Sequence, residues 1–337
     1  MKKAISIAAF TLIAWSLSLN GQLQFTQEQI LSETNHQIYH ASFSPDGKFI
    51  ATSGADNNII LWNADSWIIH RTLVGLKKRP NKIVFSPDGK VLFSAGEGGN
   101  ITTWDLLLLV RSNTIDGHSG PIRAMDISPN GTLLATGGDD KTLKVWGISE
   151  GNLVLIYELK GHRQKINSVA FSPDGQSLIS GGADKQLLKW DMRTGTNTGG
   201  IQAHKGWIRC IKFSPDGRFI ASGGDDNLIQ IWNAADLSSV KTLRGHTDWV
   251  QTLDFIRSGR YLVSGSHDRT IRIWDLESGE TVAQSVKQEY IVLSVDASPV
   301  NNDIISSCLL KEDLHVWSHG FGGDAASGTG ERGGNSQ

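Results

Sequence analysis

Residues 204–233 read HKGWIRCIKFSPDGRFIASGGDDNLIQIWN, and the pattern inside this stretch decides the fold. Short apolar runs at 208–213, 219–223 and 228–232 are separated by two turns rich in Pro, Asp and Gly, the residues that tight turns favour. Alternating β-branched and aromatic residues favour strands in each run. A fourth run follows at 240–243. The pattern predicts four short antiparallel strands, which together make one propeller blade.

The same pattern occurs seven times at almost constant spacing. Its clearest marker is Phe-Ser-Pro-Asp-Gly, and successive copies start 42 or 44 residues apart. A tryptophan follows 19 residues later in six copies and 20 residues later in the seventh. A period of about 40–45 residues with strand-like patterning is typical of blade-by-blade architectures. We number the predicted blades 1–7 by their markers, which start at Phe43, Phe85, Ile127, Phe171, Phe213, Phe255 and Ala297.

The overall composition excludes some classes of partner. The net charge is −2, and no block of Lys and Arg is present, so we expect no nucleic acid and no anionic membrane surface as a ligand. The two cysteines, Cys210 and Cys308, occupy different positions within their repeats. A disulfide would require their Cα atoms to lie within roughly 7 Å, so two separate thiols are the preferred interpretation.

The two ends of the chain differ from the repeats. Lys2-Lys3, the apolar stretch 4–19 and Gly21 follow the layout of a signal peptide, which we place at residues 1–21. The alternative is an uncleaved membrane anchor, although the stretch is short for a span. The mature chain is expected to have no membrane span. Residues 320–337 are rich in Gly and predict a disordered tail.

The repeats resemble those of the WD40 family, whose signature is Gly-His near the start of a repeat and Trp-Asp near its end. Gly117-His118, Gly161-His162 and Gly245-His246 match the first pair, and Trp104-Asp105, Trp190-Asp191 and Trp274-Asp275 match the second. The resemblance covers about residues 33–319. It implies an all-β fold, a seven-bladed β-propeller of four-stranded antiparallel blades, within a propeller domain at 22–319.

Blade 7 lacks a candidate for its outer strand, because no strand-forming run follows Trp317. An uncovered strand edge is a site for unwanted pairing. We therefore predict that residues 22–32, before the first repeat, supply the missing strand and close the ring. A short helix at 22–32 is the alternative.

Four repeats each carry a histidine, a hydroxyl, an aspartate and the blade tryptophan at fixed spacing. One such set suggests nucleophilic catalysis, but four nearly identical sets argue against it. The resemblance implies a structural hydrogen-bond network instead. We therefore expect no catalytic residue, no cofactor and no metal site. The sets are His118, Thr136, Asp140, Trp146; His162, Ser180, Asp184, Trp190; His204, Ser222, Asp226, Trp232; and His246, Ser264, Asp268, Trp274.

Blades 7, 1 and 2 form an irregular arc, because they lack this histidine. Thr34, Leu76 and Gln288 hold the aligned positions, and blade 2 also has Gly98 where the aspartate belongs. Sequence drift is the simpler explanation. A contact surface on this arc is the alternative.

The resemblance also implies a working face, the top, where the loops entering each blade meet the turns between its second and third strands. Tryptophan and arginine are enriched at binding hot spots. The top-face tryptophans either cover the channel mouth or form a binding site, for which a carboxylate-bearing peptide fits best. The candidate protein-binding residues are Trp207, Trp249, Arg209, Arg123, Arg79, Lys165 and Tyr39.

Together these features predict an exported, monomeric ring that acts as a non-catalytic scaffold for a protein or peptide partner. One alternative is an enzyme or small-molecule binder that uses the channel mouth. Another is a structural subunit of a cell-envelope assembly.

Overall fold

The computed structural model describes residues 25–32, 37–310 and 312–320, and the strands in these ranges form seven separate four-stranded sheets. Every strand pairing within a sheet is antiparallel, so each sheet is one blade of the predicted propeller. The all-β, seven-bladed prediction is confirmed. Residues 1–21, Thr34 and all of the tail beyond Gly320 lie outside the described residues. Within the described ranges, no helix has the length and apolarity that a membrane span requires.

Each blade runs from an inner strand at the channel to an outer strand at the rim. The inner strands are β2 (Ile38–Phe43), β6 (Pro80–Phe85), β10 (Ile122–Ile127), β14 (Ile166–Phe171), β18 (Ile208–Phe213), β22 (Val250–Phe255) and β26 (Val292–Ala297). The second strands are β3 (Phe49–Gly54), β7 (Val91–Gly96), β11 (Leu133–Gly138), β15 (Ser177–Gly182), β19 (Phe219–Gly224), β23 (Tyr261–Ser266) and β27 (Asp303–Cys308). The third strands are β4 (Ile59–Asn63), β8 (Asn100–Asp105), β12 (Leu143–Ser149), β16 (Gln186–Asp191), β20 (Ile229–Asn233), β24 (Ile271–Asp275) and β28 (Leu314–His319). The outer strands are β5 (Ile69–Leu73), β9 (Val110–Asp116), β13 (Asn152–Leu159), β17 (Thr196–Gln202), β21 (Ser239–Leu243), β25 (Thr281–Gln284) and, for blade 7, β1 (Phe25–Leu31).

The ring is closed by β1, which comes from the start of the described chain and completes the last blade. It pairs with β28 from Phe25 opposite His319 to Leu31 opposite Leu314. The ring of Phe25 stacks on Trp317, with 5.2 Å between the ring centroids. The predicted closure is confirmed, and the alternative of a helix in this segment is wrong.

The Ser-Pro-Asp-Gly marker makes a tight turn between the first two strands of a blade. In blade 5 the hydroxyl of Ser214 donates to Asp216 Oδ1 (2.6 Å) and accepts from the backbone N–H of Phe219 (2.9 Å). Gly217 takes a positive φ of 72°, a conformation that costs glycine little. The turn is therefore fixed by its own side chains, which sets the register of the two strands.

The core lies between neighbouring blades rather than within one blade. One buried cluster joins Ile229, Ile231 and Leu243 of blade 5 to Leu262 and Trp274 of blade 6. Full burial of an aliphatic side chain contributes about 1.5–3 kcal/mol, so each interface adds to the stability of both blades.

Aspartates at the channel wall link neighbouring blades. The carboxylate of Asp126 accepts the backbone N–H of Phe171 (2.7 Å), and that of Asp296 accepts the N–H of Phe43 (2.8 Å). Asp254 accepts the N–H of Ala297 in the same way (3.1 Å). Each bond joins the end of one inner strand to the end of the next, and the Asp296 bond joins blade 7 to blade 1.

Candidate functional site

Blade 6 contains a chain of buried hydrogen bonds that we call the relay. The indole N–H of Trp274 donates to Ser264 Oγ (2.8 Å), which lies 2.8 Å from His246 Nε2. On the other side of the ring, His246 Nδ1 lies 2.8 Å from Asp268 Oδ2, which also accepts the N–H of Thr247 (3.1 Å). With the ring proton on Nδ1, each donor in this chain meets one acceptor. The relay therefore fixes the loop that enters the blade.

The structure brings the other three predicted sets together in the same way. The distance from His Nε2 to the hydroxyl is 2.8 Å in each of them. The other relays are Trp146–Thr136–His118–Asp140, Trp190–Ser180–His162–Asp184 and Trp232–Ser222–His204–Asp226.

The geometry of the relays suits support of the fold better than catalysis. All four relay hydroxyls are 0% exposed, so no substrate can reach their oxygens. Burial lowers the pKa of His118 and of His246, which favours the neutral imidazole. A neutral ring that is held on both sides has no free nitrogen with which to move a proton.

The irregular blades keep the first bond of the relay. Their tryptophan N–H groups still donate to a hydroxyl, in the pairs Trp62–Thr52, Trp104–Ser94 and Trp317–Ser306. In blade 7, Gln288 is buried at the histidine position and donates to the carbonyl of Val286 (2.9 Å). In blade 2, Leu76 instead packs against the apolar cluster that contains Leu73 and Trp104.

Two tryptophans at the top face of blades 5 and 6 are partly exposed, Trp207 by 37% and Trp249 by 38%. The guanidinium of Arg209 lies between them, 5.1 Å from the ring centroid of Trp207 and 4.6 Å from that of Trp249. Two hydrogen bonds to the carboxylate of Asp225 fix this guanidinium (2.5 and 3.0 Å). The two indoles are therefore held by a charged group that is itself anchored.

Each of the two indoles also contacts one further side chain. Lys165 Nζ lies 4.5 Å from the ring centroid of Trp207, and the ring of His267 lies 4.8 Å from that of Trp249. We call Lys165, Trp207, Arg209, Trp249 and His267 the aromatic ladder.

The other top-face arginines are paired with carboxylates of this chain. Arg123 donates two bonds to Asp139 (3.1 and 3.0 Å) and one to Glu97 (2.9 Å). Arg79 donates to the same oxygen of Glu97 (2.9 Å), and its guanidinium lies 3.9 Å from the ring centroid of Tyr39. A ligand carboxylate would have to displace these partners. The pairing removes the main support for a carboxylate-bearing peptide at these arginines.

The central channel holds charged groups that the sequence analysis did not single out. It encloses about 450 Å³ and is lined by the seven inner strands. Lys212 Nζ lies 3.3 Å from Asp254 Oδ1. Burial, together with the charge of Asp254, raises the pKa of Asp296 to about 7. Burial, together with the charge of Lys212, lowers the pKa of Lys82 to about 8. Lys212, Asp254 and Asp296 each lie one residue before the end of an inner strand. This fixed position in the repeat could have identified them from the sequence.

The remaining reactive side chains offer no separate centre within the described ranges. Both cysteines are buried, and they do not form a disulfide with each other. Burial raises the pKa of the Cys210 thiol to about 12, so it is no ready nucleophile. In the same ranges no three His, Cys, Asp or Glu side chains converge as metal ligands.

The relay predicts that replacing the serine that binds the blade tryptophan destabilises a blade with a relay more than a blade without one. Ser264→Ala leaves both Trp274 Nε1 and His246 Nε2 without a partner, whereas Ser94→Ala leaves only Trp104 Nε1 unpaired. Each buried unpaired group costs about 1–3 kcal/mol. We expect the free energy of unfolding to fall further for Ser264→Ala, by about 1–2 kcal/mol, in denaturant titrations. Equal losses would contradict the relay.

We predict that the free energy of unfolding depends on pH through Asp296 in the channel. Because its pKa is raised in the folded state, this carboxyl binds a proton between about pH 4 and pH 7 that the unfolded chain has released. Its contribution to stability is therefore present at low pH and is lost as the pH rises towards 7. Asp296→Asn keeps an oxygen for the N–H of Phe43 but removes the titration.

The measurement is the free energy of unfolding of both proteins from pH 4.5 to 7.5, over roughly the window that the two pKa values define. The variant should gain on the wild type by on the order of 1–2 kcal/mol as the pH rises, a figure reduced for solvent in the channel. Parallel curves would mean that Asp296 titrates normally.

Comparison with known proteins agrees with this geometry. Residues 122–305, more than half of the chain, match the family model described as echinoderm microtubule-associated protein second beta-propeller. Residues 26–63 and 70–105 match the model described as WD domain, G-beta repeat. No curated protein shows significant similarity to the chain. With seven four-stranded blades and these matches, the chain belongs to the WD40-repeat family of β-propeller proteins.

Proposed function

We propose that this propeller is a non-catalytic platform that binds a protein segment on its top face, at the aromatic ladder. The observation that carries the proposal is the pair of partly exposed indoles, Trp207 and Trp249, on neighbouring blades. Exposed tryptophans bury a large apolar area on binding and are enriched at interface hot spots.

The ladder suits binding because its groups are already ordered. Asp225 fixes Arg209, and Arg209 contacts both indole rings. Little side-chain freedom remains to be lost when a partner covers these rings, which reduces the cost of association.

The charges around the ladder indicate the chemistry of the partner. Arg79, Arg123 and Arg209 are neutralised by Glu97, Asp139 and Asp225. The surface therefore offers aromatic planes rather than a field of one sign. A segment with apolar or aromatic side chains at its centre fits this surface best.

The test begins with a displayed library of random linear peptides, selected against the wild-type protein. A labelled peptide of the selected consensus is then titrated, with anisotropy as the readout. Trp207→Ala/Trp249→Ala should weaken binding by roughly tenfold or more, because truncation at a hot spot costs about 2 kcal/mol or more. Thermal melts check that the variant is folded.

A matched control is Leu107→Ala/Leu108→Ala. These leucines are 85% and 67% exposed on the turn between β8 and β9 of blade 2, whereas the ladder lies on blades 4–6. Their loss should leave the affinity unchanged. A peptide that binds all three proteins equally, or one that needs the leucines instead, would place the working surface elsewhere.

We also propose that the chain is exported. The support is the layout of Lys2-Lys3, the apolar stretch 4–19 and Gly21. The intact mass of the protein isolated from its source cells decides the point. A chain that starts at Gln22 is expected, an intact chain in the membrane fraction would indicate an anchor, and an intact cytoplasmic chain would overturn the proposal.

A further inference from the structure

In the four regular blades, the relay aspartate does more than hold the histidine. Its carboxylate also accepts the backbone N–H of the residue after the histidine, at 2.9–3.2 Å. A second N–H, two residues after the aspartate, donates to the same carboxylate at 2.9–3.4 Å. The carboxylate thus joins the loop that enters the blade to the turn between the second and third strands. The donors are Ser119, Arg163, Lys205 and Thr247 in the loops, and Thr142, Gln186, Leu228 and Thr270 after the turns.

Blade 2 has the same backbone positions but not the carboxylate. The equivalent N–H groups belong to Lys77 and Asn100, and Gly98 supplies no acceptor for them. Ser94 Oγ accepts the indole N–H of Trp104 (2.9 Å). Because Leu76 stands in place of the histidine, the Ser94 hydroxyl has no imidazole nitrogen to which it can donate. Blade 2 therefore keeps the indole donor and the two backbone N–H positions of the relay, but it lacks both the imidazole and the carboxylate.

A groove of about 580 Å³ lies at this place, and Leu76, Gly98 and Asn100 are among its lining residues. Leu76 does not fill the groove, because its side chain packs towards Trp104 and Leu73. The lining of the groove includes Ser94 and Gly98, together with residues 111–114 and 116 of β9.

The charges at the rim of the groove favour an anion. Lys77, Lys78 and Arg111 line it, and Arg111 donates to the carbonyl of Gly75 (2.7 Å). The one carboxylate in the lining, that of Asp116, accepts from Asn100 Nδ2 (2.5 Å). Arg79, which is paired with Glu97, also lines the groove, so four cations and one paired carboxylate give it a net positive charge.

We propose that the blade 2 groove binds the carboxylate of an aspartate or glutamate in a protein partner, which takes the place of the internal aspartate that the other blades carry. A carboxylate is preferred to a phosphate because the two backbone N–H positions are those that bind a carboxylate, together with the histidine, in blades 3–6. The site is independent of the aromatic ladder, because all of its lining residues lie between Gly75 and Asp116, outside blades 4–6.

The experiment uses the ¹⁵N-labelled full chain and two short peptides that differ only in a central Glu or Gln. We expect the Glu peptide to shift the amide signals of Lys77 and Asn100 in a saturable way. The Gln peptide should bind roughly tenfold more weakly or worse, because it lacks the charge. Equal binding of the two peptides, or no saturable shift, would overturn the proposal.

Two variants locate the site. Gly98→Asp supplies the internal carboxylate, so it should reduce the affinity for the Glu peptide by roughly tenfold or more. Trp207→Ala/Trp249→Ala should leave this affinity unchanged, which separates a failure here from a failure of the ladder. If Gly98→Asp does not fold, Lys78→Ala/Arg111→Ala should weaken the Glu peptide and not the Gln peptide. Retained affinity in a folded groove variant would contradict the site.

Two further probes identify the source of the carboxylate. Acetate should bind more weakly than the Glu peptide, because a protein segment adds contacts along the groove. Acetate that binds as tightly would indicate a site for free carboxylates and overturn the assignment to a protein partner. Inorganic phosphate that binds as tightly would overturn the preference for a carboxylate.

Discussion

The pairing of β1 with β28 is the contact on which the rest of the molecule depends. Because the core lies between blades, an open ring would expose an apolar face at each end. The cluster at the junction includes Leu31 and Ile38 from the start of the chain and Leu314 and Val316 from its end. Asp296 adds a hydrogen bond across the same junction. Closure thus supplies blade 7 with its outer strand and blade 1 with a covered face.

A closed ring makes the top face rigid, and local hydrogen bonds then fix the individual side chains. The relays hold the loops that enter blades 3–6, and carboxylates hold Arg123 and Arg209. The face therefore presents shape and aromatic surface rather than mobile charge. This arrangement favours binding with a low entropic cost.

The fold could be predicted from the sequence because its signals are local and repeated. The turn at Ser214–Gly217 and the alternation around Trp232 specify strands without reference to distant residues. Counting the predicted strands also showed that blade 7 lacked an outer strand, which β1 supplies. The contacts of Glu97 could not be predicted so easily. Its carboxylate meets Arg123, which lies 26 residues later in the next blade. Such contacts depend on how neighbouring blades are placed, so the sequence did not show that carboxylates of this chain already pair with the top-face arginines.

Within the irregular arc, blades 7 and 2 differ in how the histidine position of the relay is occupied. In blade 7, buried Gln288 occupies the histidine position and bonds to Val286, so that place is filled. In blade 2, Leu76 turns into the core and Gly98 adds no side chain, so the place stays open. Loss of the aspartate alone would have left a buried imidazole unpaired, at a cost of about 1–3 kcal/mol. Loss of both avoids that cost, and the position of the missing carboxylate is lined by an accessible groove. Simple drift explains a filled position such as that of blade 7, whereas an open, positively charged groove is the part of the arc that fits a contact surface.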